Sequence, residues 1–230
     1  MSPQKSCLAG RAGAAPPTVW GMPELDHLVF ASPNLAAGVR HIEELTGATP
    51  VPGGPHPGVG TRNHLLTFDQ TTYFEVIGVD PDQAEPARPR PFGIDEGRPP
   101  RLAGYALHPA PGETIEEVVE RLRALGHDPG PVTAMNRVKP DGEELRWRLT
   151  LAPSATAPSA LPFVIDWGSN PSPARSLPSM GTLVELRVEH PDTAVRSMVD
   201  GLKLGIVTVE AASPRLVAVV DTPGGRVEIA

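Results

Sequence analysis

Cysteine is nearly missing from this chain: of its 230 residues only one, Cys7, carries a thiol. With no second cysteine, an intrachain disulfide framework and a cysteine-built zinc site are both excluded, which fits a reducing, cytoplasmic setting. Long apolar runs are lacking as well. No stretch approaches the ~18 residues that a transmembrane helix needs. Residues 1–22 contain Lys5 and Arg11 but no apolar stretch of signal-peptide length, and they read as a disordered leader. Positive charge is in deficit, 20 Lys and Arg against 27 Asp and Glu, for a net charge of −7. Without a basic run, neither nucleic acid nor a membrane is expected as a partner. The nucleophile and nucleotide signatures GxSxG and GxxxxGKS/T do not occur. His41 is followed by Ile42, Glu43 and Glu44 with no second histidine at zinc-protease spacing.

Proline, by contrast, is abundant, at 29 residues, and it is clustered. Residues 81–100 carry six prolines, and residues 169–181 are rich in Pro and Ser. Both segments lack apolar periodicity and read as linkers. They leave three blocks, at residues 23–80, 101–168 and 182–230. In the first, LDHLVFAS alternates as a strand does. Leu35, Val39, Ile42 and Leu45 then recur at helical spacing, Gly47 closes the helix, and further strands end in the run Tyr73–Ile77. In the second, LAGYALH is a strand and Thr114 with Glu117 forms a capping-box pattern. Ile115, Val118, Val119, Leu122 and Leu125 make the helical stripe, and ELRWRLTL and PFVIDW are later strands. In the third, LVELRVEH is a strand and Asp192 caps a helix through Val195, Met198, Val199 and Leu202. IVTVEA, RLVAVVD and RVEIA follow as strands. Each block reads as strand, helix, then two or three strands. The predicted class is therefore α+β: repeated βαβββ modules whose curved, mixed sheets surround a cleft. Three such units are odd in number, so the third either extends the sheet or pairs across a homodimer.

The residues from Leu25 to Gly78 resemble the first module of glyoxalase-like proteins of the vicinal-oxygen-chelate superfamily. The resemblance rests on His27 in the first strand, the HPGxGTxN stretch from His56 to Asn63, and Glu75 in the last strand. PDGEELRWRL and LPFVIDWG resemble the second module. What this implies is a fold and a ligand register, because the superfamily hosts many chemistries. Metal ligands come from the first and last strands of two paired modules. Carried over, module one offers His27 and Glu75, and alignment of the third block places Glu185 and Glu228 at the same positions. Module two departs, with Gly104 and Val164 there and Asp166 two residues out of step.

Read as chemistry, Glu75 lies between Tyr73, Phe74, Val76 and Ile77, a strand with two apolar faces, so its carboxylate needs a partner. His27 and Glu75 are the candidate catalytic pair. His56 lies in a Pro/Gly loop that can gate the cleft. Asn63 aligns by module with Arg146, and Arg146 and Arg148 flank Trp147 on one strand face, where guanidinium would suit an anion. His56, Asn63, Arg146 and Arg148 are thus the candidate substrate-binding residues. Two readings stay open. In one, the cleft binds a small anionic or oxygen-rich organic molecule without a metal, with or without acid–base catalysis by His27 or Glu75. In the other, His27, Glu75, Glu185 and Glu228 hold a divalent ion (zinc, nickel, manganese or iron) for a lyase, isomerase or dioxygenase reaction.

Overall fold

The computed structural model describes residues 22–138, 142, 144–150 and 160–230. The leader expected over residues 1–22, with Cys7, lies outside the described residues except for Met22. In chain order the elements are β1 (Glu24–Ser32), α1 (Leu35–Thr46), β2 (Val51–His56), β3 (Thr61–Thr67) and β4 (Tyr73–Val79). Next come β5 (Arg101–His108), α2 (Ile115–Ala124), β6 (Val132–Val138), β7 (Glu144–Thr150) and β8 (Phe163–Asp166). Last are β9 (Thr182–His190), α3 (Thr193–Gly201), β10 (Val207–Glu210), β11 (Arg215–Thr222) and β12 (Gly225–Ile229).

The helices begin and end where their caps dictate. The Asn34 side chain accepts from the Ala37 amide, and Gly47 closes α1 in the left-handed conformation, at φ 73°. Thr114 and Glu117 satisfy each other's backbone amides at the start of α2. The Asp192 carboxylate accepts from the Ala194 amide to start α3.

The first eight strands build one mixed sheet in the order β2-β3-β4-β1-β5-β8-β7-β6. β1 lies at its centre, parallel to β4 and antiparallel to β5. The sheet curls until its two edge strands, β2 and β6, meet, so it is nearly a barrel. Leu28 and Phe30 of β1, Phe74 and Val76 of β4, and Tyr105 and Leu107 of β5 point outward into the main core beneath the helices. Each such buried side chain contributes about 1.5–3 kcal/mol. The alternate residues His27, Val29, Glu75 and Ile77 therefore face inward. No helix among the described residues is long and apolar enough to cross a membrane.

The third block repeats the element order but not the topology. Its sheet runs β10-β9-β11-β12. β10 lies parallel beside β9, in the place that β4 takes beside β1. The β11–β12 hairpin lies on the other side of β9. One face of this sheet (Leu186, Val188, Leu216, Ala218, Val220) joins the main core, so the third block covers the first two rather than forming another half-barrel.

Candidate functional site

The inward face of the eight-stranded sheet encloses a cavity of about 140 Å³. Phe92, Met135, Trp147, Leu149, Phe163 and Ile165 form apolar walls, and His27, His56, Asn63, Glu75 and Arg137 supply the polar end.

Asp26 and His27 share that polar end because β1 bulges. Leu25 pairs with Leu107 and His27 with the adjacent Ala106, leaving Asp26 as the extra residue. A bulge of this kind re-aims a side chain. Here it sets Asp26 Oδ1 2.6 Å from His27 Nδ1. The Trp167 indole N–H donates to Asp26 Oδ2 at 3.0 Å. The imidazole is clamped by Tyr73, stacked at 4.5 Å between ring centroids, and by the edge contact of Phe163 at 5.4 Å. Its other nitrogen, Nε2, lies 3.7 Å from Glu75 Oε2. The strand register that placed His27 and Glu75 on one face thus brings their tips together.

Glu75 is buried, and the Asn63 amide donates to its Oε1 at 2.6 Å. His56 Nε2 lies 3.7 Å from the same oxygen, while His56 Nδ1 contacts the Thr61 hydroxyl at 2.9 Å. Burial holds the His56 pKa below the usual histidine value; Glu75 opposes this, while Arg137 reinforces it. Gly53 makes room for the cluster, since a Cβ there would fall 2.2 Å from Asn63 Oδ1.

Arg137 was invisible to the sequence reading, which assigned no strand to VTAMNRV. It enters across the seam where β6 meets β2 and is only 8% exposed. Its Nη1 donates to Asn63 Oδ1 at a long 3.4 Å, and its buried Nε has no partner among the described residues. No carboxylate among the described residues forms an ion pair with it, and burial pulls its pKa down while Glu75 and Tyr73 pull it up. The one available signal was alternation: Met135 and Arg137 share a face opposite Trp147 and Leu145 of β7.

Several expected residues lie elsewhere. Arg146 and Arg148 were expected on a cleft wall. Trp147 takes the inward position instead, because the apolar residue fits the cavity, and the arginines alternate outward. Arg146 pairs with Glu144 at 2.7 Å; Arg148 pairs with Glu116 of α2 and Asp166, each at 2.7 Å. Glu185 and Glu228 do not converge on His27 and Glu75. They sit on the third sheet around Arg187, at 2.7 and 3.3 Å, with Glu189 at 3.0 Å. The changed topology explains this: Glu228 lies on β12, two strands from β9, whereas Glu75 lies on the strand next to β1. The linker at 81–100 also contributes to the site. Arg90 pins it through the Gly60 carbonyl, Glu85 and Asp95, and Phe92, at φ 60°, enters the cavity beside Phe163.

Among the described residues the side chains do not compose a metal site: no group of three or more His, Cys, Asp or Glu is placed to hold an ion. At the module-two counterpart of His27, the ring of Phe92 covers Gly104, where an added Cβ would lie 3.0 Å from Phe92 Cε1. Val164 points into the outer core and Asp166 is held by Arg148.

Residues 25–202 match the glyoxalase-like domain family. No curated protein matches the chain. Among solved structures, a hypothetical protein from Staphylococcus aureus is similar at 14% identity and a TM-score of 0.60, over 90% of this chain and 98% of that one. The methylmalonyl-CoA epimerase of Mycobacterium tuberculosis is similar at 16% identity and a TM-score of 0.37, over 62% of this chain and 85% of that one. The first of these likenesses speaks to fold alone.

Proposed function

The chain belongs to the glyoxalase-like domain family, and from that premise we propose that its barrel binds a small organic molecule with an apolar body and a carboxylate or similar anionic head. Arg137 carries this reading. Among the described residues this buried guanidinium makes no ion pair, and such a charge costs several kcal/mol, which an anionic ligand would offset. Arg137 stands at the end of apolar walls, and an apolar cavity of about 150 Å³ is known to take up benzene. The anion would lie against Arg137, with the body between Trp147, Phe163 and Met135. A divalent-metal-dependent lyase, isomerase or dioxygenase is the weaker reading, because the donors beyond His27 and Glu75 that it needs lie on the third sheet or are absent from module two.

Benzoate, titrated calorimetrically, tests the proposal, with benzyl alcohol as the neutral comparison. Benzoate is expected to bind more tightly than benzyl alcohol, and Arg137→Met is expected to remove the difference. Equal binding of the two by the unaltered protein would overturn the anion site.

A further inference from the structure

Beyond binding, the polar end of the cavity has the parts of an acid–base centre. The Asp26 carboxylate accepts from His27 Nδ1–H, which fixes the ring so that Nε2 faces Glu75 and the cavity. A base oriented by a buried third group is the arrangement that nucleophilic and acid–base sites share. The Trp167 indole holds the far oxygen of Asp26, and Tyr73 and Phe163 prevent the imidazole from turning. The contact between Nε2 and Glu75 Oε2, at 3.7 Å, is too long for a committed hydrogen bond, so both atoms stay available. The anion site is close by: the Asn63 amide donates to Glu75 Oε1 with its nitrogen and accepts from Arg137 with its oxygen. Asn63 thus bridges the two groups, so a carboxylate held by Arg137 would sit one side chain away from Glu75. None of this requires a metal, whose counterpart positions are taken by Phe92 and the outer core.

We propose that Asp26, His27 and Glu75 form a metal-independent proton-transfer centre that interconverts the keto and enol forms of a small 2-oxo carboxylate anchored by Arg137. The proposal rests on the anion site described above. In the forward step the Glu75 carboxylate removes the proton from C3 of the 2-oxo acid. The C–H electron pair becomes the C2–C3 double bond, and the carbonyl π pair moves to oxygen. That oxygen takes the Nε2 proton of His27, which enters the step as the imidazolium with its Nδ1–H on the Asp26 carboxylate. Glu75 is then protonated and His27 neutral, and passage of one proton across the gap between them restores the starting state. No oxidant, reductant or second substrate is needed. Glu75 and His27 are the catalytic residues, and Asp26 is a positioning residue.

The test is solvent exchange. The full chain, in deuterium oxide with EDTA, is mixed with 4-methyl-2-oxopentanoate, and loss of the C3 protons is followed by proton NMR. Exchange is expected to exceed the buffer rate and to persist in EDTA. Glu75→Gln and His27→Asn are expected to lower it by about 100-fold, the usual worth of a positioned acid or base. Asp26→Asn is expected to lower kcat by about tenfold with KM unchanged, which a merely structural role would not produce. Benzoate binding is measured on every variant as the check on folding and on the anion site. Exchange at the buffer rate by protein that binds benzoate overturns proton transfer and leaves the anion site standing. Exchange that EDTA abolishes overturns metal independence. If benzoate does not bind the unaltered protein, the anion site itself fails.

Discussion

Arg137 and Arg187 both project from strands onto the face of a sheet, and their surroundings are opposite. Arg187, on the third sheet, is partly exposed and held by Glu185, Glu189 and Glu228. Those carboxylates hold its pKa well above the usual arginine value. Arg137, inside the eight-stranded sheet, is almost wholly buried, has among the described residues one long hydrogen bond to a neutral amide, and has its pKa pulled down by burial. Carboxylates thus touch the guanidinium directly on the third sheet, whereas inside the barrel the nearest one, Glu75, reaches Arg137 only through the Asn63 amide. An exposed ion network is a weak contributor to stability. A buried charge left without its counterion is a cost that packing elsewhere must absorb, and the main core is large enough to do so. The cluster whose charges pair directly is structural, while the buried one that is incompletely satisfied is the candidate site.

The sharpest way to break this contrast is Arg137→Met, which keeps the apolar stem and removes the charge. Benzoate binding should weaken by about 10- to 100-fold, the worth of a charged hydrogen bond. Stability should rise by about 1 kcal/mol or more as the unpaired charge is removed. Calorimetry and urea unfolding check the two arms, and a stability loss together with unchanged binding would invert the assignment.

Gly53→Val attacks the same side through packing. Its Cβ would collide with the Asn63 side chain. A loss of about 1–3 kcal/mol in urea unfolding is expected from overpacking, along with weaker benzoate binding as Asn63 is displaced from both Glu75 and Arg137.

A smaller effect concerns pH. Burial lowers the His56 pKa, so between that value and the ordinary 6.5 the unfolded chain binds more protons than the folded one. Stability should therefore be full above 6.5 and fall as pH drops through the folded value. His64 and His127, also lowered by burial, act in the same direction. The urea midpoint should be lower at pH 5.5 than at pH 7.5 (about two units apart, enough to span the titration), and His56→Gln should shrink the difference.

The smallest change is expected at the other pole. Arg187→Met should cost less than about 1 kcal/mol, as exposed pairs do, and leave benzoate binding unaltered. A binding change there would show that the third sheet is coupled to the cavity.

How much of this could be read in advance varies from residue to residue. The two faces of β1 were legible, because Leu28 and Phe30 alternate with His27 and Val29. So was the need for a partner at Glu75, a carboxylate between apolar neighbours. Asn63 and His56, flagged from the HPGxGTxN stretch, do meet at Glu75. Asp26 was not legible, since strict alternation would send it to the outer face, and the bulge that redirects it depends on pairing with β5. The arginines were misassigned for a related reason: on a strand with Trp147 between two arginines, alternation separates the faces without saying which faces inward.

The sequence by itself determined the local periods: the three helices, where Thr114 and Asp192 start theirs, most of the strands though not β2 or β6, and which residues share a face. These follow from backbone geometry and capping, which act within a few residues. Tertiary structure alone decided which strands become neighbours, and with that nearly everything about the site. It set β10 beside β9 where β4 lies beside β1, carrying Glu228 away from any role like that of Glu75. It closed β6 against β2, bringing Arg137 to Asn63 across 74 residues of chain. It folded Phe92 over Gly104. Pairing between distant strands is fixed by the summed packing of whole faces, and no window of adjacent residues carries that sum.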